Sequence, residues 1–458
     1  MASFSIENFG CRATQADAAA MERQLIEAGY ARVSAHSEAD VVVLNTCTVT
    51  AAADAQARDA IRHIHRGNPA ARIVVTGCYA QRAPEEIAAL GGVTWIVGNS
   101  YQNEIPRLLE AYAPPCPVQP DFVPLAALDS EPLSLARGPA KILSGDIFKE
   151  TTVPFVPADT CQGERTRPTL KIQDGCNQRC SYCVIPFVRG RSRSLPPDLV
   201  VKEIRRLASS GYKEVVLSGI NLGSYGGDLA PRIEFRELLR RVLEETPLEQ
   251  LRLSSIEPMD VTQDLVDLVA STPRLAQHFH MPLQSGSDLI LRAMHRWYRA
   301  AHYARRVELI RERLPNAAIG ADVIVGFPGE TDEEYVATRE FLQRLSFTYL
   351  HVFAFSARPG TKAAEMSGQV PAFVIRQRAR ELRALAAQKA SQFRSSQAGR
   401  TVRALTLHRQ GNTWTEAITS NYLKIRAANH WPANQWLDVR LTADPAVPVV
   451  AFTPSAAQ

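Results

Sequence analysis

Thr169-Leu-Lys-Ile-Gln-Asp-Gly-Cys176-Asn-Gln-Arg-Cys180-Ser-Tyr-Cys183 runs a short strand pattern straight into three closely spaced cysteines. Three thiolates at this spacing, on one tight loop, can hold three irons of a 4Fe–4S cube and leave the fourth iron open. An electron-transfer ferredoxin supplies four cysteines instead. A zinc site would need a fourth ligand, such as Cys161 or a histidine. Zinc sites also usually pair two Cys-x2-Cys knuckles, and only one is present here. The pattern predicts a cluster with one open coordination position, placed just after a strand.

Strands and helices alternate from Leu170 to about Lys389. Strands are expected at Thr169–Gln173, Glu214–Ser218, Gln250–Ser254, His278–Met281, Ala318–Val325 and Tyr349–Phe355. Helices fall between them, for example Pro197–Ser210, Phe235–Glu245, Ala300–Leu314 and Glu333–Leu345. Six βα units suit a partial (βα)6 barrel, with a doubly wound open sheet as the competing arrangement. The N-terminal part alternates in the same way, with strands at Ser3–Phe9, Ala39–Asn45, Ala71–Thr76 and Val93–Val97. Ala39–Asn45 is a continuous apolar run of the kind buried on both faces of a parallel sheet. Beyond the six units, Ile375–Gln397 reads as an amphipathic helix and Thr401–Phe452 as a small β-barrel. The expected fold class is α/β, divided into a parallel-sheet domain (1–113), a partial-barrel core (162–394) and a small β-barrel (395–458). Residues 114–161 read as a linker or insert opened by Pro114, Pro115, Pro117, Pro120 and Pro124, and Gly138–Arg167 suggests at most a hairpin.

Cys11, Cys47 and Cys78 are far apart in sequence, but each ends a strand pattern: Phe9-Gly-Cys11, Leu44-Asn-Thr-Cys47 and Val75-Thr-Gly-Cys78. Strand ends of one parallel sheet face one edge, where such folds bind ligands. Three thiols converging there suit a second cluster, and the helix N-termini that follow are expected to favour thiolate. Singly, each cysteine reads as a small buried hydrophobe. Cys116 and Cys161 fit neither set.

The composition agrees with a cytosolic globular protein. Hydrophobic residues make up 45% and charged residues 22% of 458, which excludes a disordered chain. No apolar run approaches the roughly 20 residues of a membrane span. The first residues lack a charged and then apolar leader. The eight cysteines point to metal or thiol chemistry rather than disulfides in that compartment. Net charge is +5, and between Pro371 and Arg409 nine Lys or Arg accompany one acid, Glu381. Such a local excess attracts phosphate backbones.

The spacing Cys-x3-Cys-x-aromatic-Cys after the first strand resembles the radical S-adenosylmethionine superfamily. The resemblance implies that the open iron chelates the amino and carboxylate groups of S-adenosylmethionine, which one electron then cleaves to a 5′-deoxyadenosyl radical. Tyr182 matches the aromatic position near the adenine, and Ser218, Gly219 and Asn221 match the glycine motif near the amino group. Gln284, Ser285 and Asp322 lie where further cofactor contacts are expected. Read without the family, Ser218-Gly219 and Gln284-Ser285 are turn residues at strand ends, and Asp322 is a residue of the fifth strand.

Gly10-Cys11, Asn45-Thr-Cys47-Thr-Val, Thr76-Gly-Cys78-Tyr-Ala-Gln, Asp174-Gly-Cys176-Asn, Cys180–Arg189 and Leu283-Gln-Ser-Gly-Ser287 together resemble one family, the methylthiotransferases. The resemblance implies two 4Fe–4S clusters, on Cys176, Cys180 and Cys183 and on Cys11, Cys47 and Cys78, and a C-terminal TRAM domain that binds RNA. One S-adenosylmethionine then methylates a sulfur on the N-terminal cluster, and a second provides the radical. Family substrates are threonylcarbamoyladenosine in tRNA, isopentenyladenosine in tRNA, or an aspartate of a ribosomal protein. Ile172-Gln-Asp-Gly-Cys176, Asn221-Leu-Gly-Ser-Tyr-Gly226 and Ser420-Asn-Tyr-Leu-Lys look most like the threonylcarbamoyl branch. Thr14 stands where many members carry Asn. The expected partners are the tRNA anticodon stem-loop and an electron donor such as flavodoxin or ferredoxin. A non-catalytic metal-cluster RNA-binding protein is the reading from another class.

Overall fold

The computed structural model describes residues 2–110, 140–155 and 166–453, so Cys116, Cys161 and most of the proline-rich segment lie outside the described residues. The chain divides into two compact units, the first made of its N-terminal part together with Phe187–Gly190. Those four residues belong to 162–394 by linear order. They pack in the first unit because Arg189 pairs with Asp17 and the Val188 carbonyl accepts from Asn99.

In the first unit six strands pair in parallel, in the order Ala31–Arg32, Ser3–Asn8, Val41–Thr46, Arg72–Gly77, Val93–Val97 and Lys141–Leu143. Every residue of Val41–Thr46 is buried, as a strand covered on both faces must be. Its side chains divide by the two-residue period of a strand. Val41 and Val43 join Phe4 of the neighbouring strand and Met21 and Leu25 of helix Arg12–Glu27, while Val42 and Leu44 join Ala57, Ile61 and Ile64 of helix Ala51–Gly67. The hairpin expected after Gly138 is not formed among the described residues. Lys141–Leu143 instead adds in parallel beside Val93–Val97, with Lys141 opposite Trp95. Three residues are too short a run to display a period.

The second unit holds six parallel strands in two sets. Thr169–Lys171 pairs with Glu214–Ser218 and that with Gln250–Leu253; His278–His280 pairs with Ala318–Val325 and that with Tyr349–Ala354. A parallel bridge between Ser255 and His280 joins the sets. The spatial order therefore follows chain order without reversal. That is the arrangement of a barrel and not of a doubly wound sheet. The two faces of Ala318–Val325 differ. Ala321, Val323 and Val325 are 0% exposed against the helices, while Asp322 and Ile324 are partly open to the lumen. The expected first strand breaks at Ile172, because Gln173–Asp174 turns aside to pair antiparallel with Arg193–Ser194.

Helix Ala372–Ser396 leads into five antiparallel strands, ordered Lys424–Ala428, Trp414–Thr419, Thr401–Gln410, Trp436–Arg440 and Ala451–Phe452. They curl round Ala404, Ala417, Ile425, Leu437 and Val439. The turn after Thr419 is pinned to the six-stranded barrel. Arg252, wholly buried, donates to the carbonyls of Thr419 at 3.1 Å and Ser420 at 2.9 Å, and pairs with Glu214 at 2.7 Å. Asn421 donates to the Asn316 carbonyl at 2.9 Å.

Candidate cluster sites

In the second unit the cysteine loop is held by residues on either side of it. Gly175 sits at φ +70°, a left-handed position that turns the chain out of the strand into Cys176. Asp174 Oδ1 accepts from the Gly175 amide at 2.8 Å. Gln173, fully buried, donates to the Gly175 carbonyl at 2.8 Å and to Ser192 Oγ at 2.9 Å, and accepts from the Asn221 amide at 2.8 Å. One side chain thus ties the cysteine loop to the loop after the second strand.

Each thiol of this loop has an N–H aimed at its sulfur. Cys176 accepts from the Gln178 amide at 3.4 Å, Cys180 from Arg296 Nη1 at 3.3 Å, and Cys183 from the Ile185 amide. Burial pushes Cys176 up to about 11 and Cys183 up to about 12, with the neighbouring Cys180 adding to both. Thiols that burial keeps protonated, as at Cys176 and Cys183, in a loop that carries donors suited to thiolate, fit a cationic iron cluster that deprotonates its ligands. Arg296 is itself buried, ion-paired with Glu257, and lies 5.0 Å from the Tyr298 ring centre. Sequence reasoning missed Arg296, Glu257 and Tyr298, since an Arg in Met294-His-Arg-Trp-Tyr298 carries no spacing signal.

The remaining expected cofactor residues separate by position. Ser218 ends the second strand 1% exposed, and its hydroxyl has no hydrogen-bond partner among the described residues. Asn221 Oδ1 and Ser254 Oγ, also at strand ends, are likewise unpartnered. Three buried polar atoms lacking partners at one end of a barrel fit a polar ligand there. Gly219 is tightly framed, a Cβ there lying 3.0 Å from Gln173 Oε1. Gln284 adopts φ +68° in the turn after the fourth strand. Ser285 is 0% exposed and bonded to Thr338 at 3.1 Å, so it holds that turn. Tyr182 packs against the buried cluster of Ile290, Met294, Phe327 and Ala363. Asp322 lies deeper in the lumen, bonded to His280 and His351.

The first unit brings Cys11, Cys47 and Cys78 to one edge of its sheet. Cys11 is the residue before helix Arg12–Glu27, and Cys78 opens the short helix Cys78–Arg82. Gly10 has φ +114°, and a Cβ there would stand 2.5 Å from Cys47 Cβ; only glycine lets the two loops close up. Thr14 closes the Cys11 turn by donating to the Cys11 carbonyl at 2.7 Å. Cys78 accepts from Asn99 Nδ2 at 3.7 Å and from Arg189, which is paired at 2.8 Å with Asp17, each 2% exposed.

The expected pull of helix N-termini toward thiolate does not prevail. Burial, then the nearby thiols Cys78 and Cys11, push Cys47 up to about 12, and burial raises Cys78 against the opposing charge of Arg189. This donor set too fits a group whose positive charge removes the thiol protons. Arg189 and Asp17 had no signal in the sequence, being 172 residues apart.

The basic helix is not uniformly available. Arg376, Arg380 and Arg383 are exposed along Ala372–Ser396, with Phe373 65% exposed beside the first two. Arg378 is buried against Glu330 and Asp332, at 2.6 and 2.7 Å, and Arg394 donates to the Lys424 carbonyl.

Residues 3–98 match the family described as Uncharacterized protein family UPF0004, and residues 170–342 match the Radical SAM superfamily. The chain is 37% identical over 422 residues to the threonylcarbamoyladenosine tRNA methylthiotransferase of Aquifex aeolicus, spanning 92% of this chain and 96% of that one. The chain belongs to the radical S-adenosylmethionine methylthiotransferases. It is also 34% identical over 418 residues to a tRNA-2-methylthio-N(6)-dimethylallyladenosine synthase of Saccharopolyspora erythraea, covering 90% of the methylthiotransferase described here and 80% of the relative. Among solved structures, the radical S-adenosylmethionine methyltransferase TsrM from Kitasatospora setae matches at TM-score 0.55 and 17% identity, over 80% of this methylthiotransferase and 75% of that chain. That likeness concerns the fold. No described helix of the enzyme is long and apolar enough to cross a membrane.

Proposed function

We propose that this methylthiotransferase adds a methylthio group to C2 of N6-threonylcarbamoyladenosine next to the anticodon of tRNA. The observation that carries the reading is the pair of separate three-thiol sets, each at strand ends of a parallel sheet and each supplied with N–H donors. We assign Cys176, Cys180 and Cys183 to the 4Fe–4S cluster that engages S-adenosylmethionine, and Cys11, Cys47 and Cys78 to a second 4Fe–4S cluster. When bound, these groups supply a one-electron route to an adenine C–H bond, which is too weakly acidic for general-base chemistry, and the sulfur that takes the hydrogen's place. Gln173 positions the cysteine loop, Arg296 holds a donor on Cys180, and Arg189 does the same for Cys78. Tyr182, Ser218, Gly219, Asn221 and Gln284 line the place of S-adenosylmethionine, and Ser285 supports them through its turn. Residues 1–113, 162–394 and 395–458 then serve as the sulfur-carrying, radical and RNA-binding (TRAM) domains. The enzyme works in the cytosol with a small flavin or iron–sulfur electron donor. The dimethylallyl relative makes dimethylallyladenosine the second candidate substrate.

Cluster-loaded wild type should carry about eight irons per chain, four for each cube. Cys180→Ala should keep about half of them and form no 5′-deoxyadenosine. Cys47→Ala should also keep about half yet still cleave S-adenosylmethionine, while nucleoside mass analysis finds no methylthio product. Formation of 5′-deoxyadenosine by Cys180→Ala at the wild-type rate, or full methylthiolation by Cys47→Ala, would overturn the assignment.

A further inference from the structure

Three neighbouring barrel strands bring His280, Asp322 and His351 together, with one ligand atom of each within 4.8 Å of the others. Asp322 Oδ1 accepts from His280 Nε2 and from His351 Nδ1, both at 3.1 Å. Ser255 Oγ lies 2.7 Å from the other nitrogen of His280, which fixes the tautomer as Nε2–H if the serine donates. Asp322 remains a carboxylate, because hydrogen bonds from the two histidines outweigh its burial.

The trio is satisfied on its inner side and open on the other. The side chain of His280 is 10% exposed, that of Asp322 22% and that of His351 56%. No described group bonds His351 Nε2 or Asp322 Oδ2. Both belong to the lumen face, because Asp322 and His351 are register partners and Ala321 and Val323 on the opposite face are fully buried. The next lumen residue toward the strand end, Ile324, packs against the buried cluster of Ile290, Met294 and Phe327, as does Tyr182 of the cysteine loop. Two residues along a strand span roughly 6.6 Å. The open nitrogen and oxygen therefore sit one strand repeat, less than the length of a nucleoside, beneath the layer that shares this hydrophobic cluster with the cysteine loop.

We infer that His280, Asp322 and His351 form the subsite for a polar, hydroxyl- and amide-bearing arm on the substrate base, and that they set the preference for threonylcarbamoyl- over dimethylallyladenosine. This rests on the proposed function and names the residues that choose between its two substrates. Asp322 Oδ2 accepts from a hydroxyl or ureido N–H of the arm, and His351 Nε2 serves as the second partner. A carboxylate on the arm must point toward His351, away from Asp322. A hydrocarbon arm satisfies neither group and strips water from a half-buried carboxylate, an unfavourable exchange. Asp322 accordingly acts on the substrate side of the lumen, where the family resemblance had suggested the cofactor.

The test uses cluster-loaded enzyme and anticodon stem-loop RNAs carrying either modified adenosine, read by fluorescence anisotropy and by kcat/KM for methylthiolation. Losing a hydrogen bond to a charged group weakens recognition by about 10- to 150-fold. His351→Phe and Asp322→Asn should lower affinity and kcat/KM for the threonylcarbamoyl RNA by about that factor and leave the dimethylallyl RNA within threefold. His351→Gln, which keeps a polar atom near the Nε2 position, should recover part of the loss. An equal fall for both RNAs would mean that the trio only braces the barrel, and the inference fails. One equivalent of zinc per chain in the wild type, lost in His351→Phe, would make it a metal cradle and also overturn the inference. The proposed function is tested separately by the wild type, which must methylthiolate the threonylcarbamoyl RNA.

Discussion

Arg252 is the residue whose loss should be felt furthest from its own position. Its guanidinium and the Glu214 carboxylate are both 0% exposed, bonded at 2.7 and 3.2 Å, and the same guanidinium donates to two carbonyls of the Thr419–Leu423 turn. Arg252→Met removes one member of a buried pair, which costs about 3–5 kcal/mol. Arg167, 3.1 Å from Glu214, remains to offset part of the stranded charge and favours the lower end. The two carbonyls that lose their donor push the other way, by about 1–3 kcal/mol for each left unsatisfied. With a urea slope of about 3 kcal/mol per M, the midpoint should fall by about 1–1.7 M. The assay is anaerobic urea unfolding followed by tryptophan emission, to which Trp414, Trp431 and Trp436 of the small barrel contribute. Replacing both partners, Arg252→Met with Glu214→Leu, should restore at least half of the loss. The effect also depends on pH. Burial raises the pKa of Glu214, but Arg252 and Arg167 outweigh it and the net shift is downward. A depressed folded-state pKa gives stability that is present above the unfolded value, near 4.3, and is lost as pH falls below it. The gap between wild type and Arg252→Met should therefore narrow below about pH 4.3. A midpoint shift under about 0.3 M at pH 7 would refute the claim that this pair pins the small barrel.

Three further outcomes are expected, two on the basic helix and one at the cysteines of the first unit. Changing Arg376, Arg380 and Arg383 together to Ala should weaken tRNA binding and flatten the log–log salt dependence by about 2–3, at roughly 0.7–0.9 per phosphate contact. Arg378→Ala should leave that slope unchanged and instead lower the melting temperature, because Glu330 loses its buried partner. In the first unit, Arg189→Leu strands Asp17 and removes a donor from Cys78, so the protein should carry about half the wild-type iron while still cleaving S-adenosylmethionine. Wild-type iron content in that variant would show that the Arg189 contact is dispensable.

The local sequence determined the elements and the grouping of the cysteines. Val93–Val97, Glu214–Ser218 and Ala318–Val325 form where their periodicity places them, because a buried strand must present apolar side chains in a short continuous run. Cys176, Cys180 and Cys183 could be grouped from the sequence since their thiols lie on one loop, where spacing in sequence is spacing in space. Cys11, Cys47 and Cys78 were legible for a different reason: strand ends of one parallel sheet share an edge whatever the loop lengths between them. Tertiary structure alone decided the rest. Lys141–Leu143 became a sixth strand through an edge that Val93–Val97 left open, a pairing that three residues cannot announce. Arg189 reaches Asp17 and Cys78 across 172 positions in one case and 111 in the other (189 − 78), separations over which no pattern persists. Arg378, one of a run of arginines, was withdrawn from the basic face because Glu330 lies beneath it. His280, Asp322 and His351 meet only because consecutive barrel strands set residues from three separate segments side by side. Periodicity reports which side of an element is buried; which polar groups then face one another depends on register and strand order, and those are fixed only when the sheet closes.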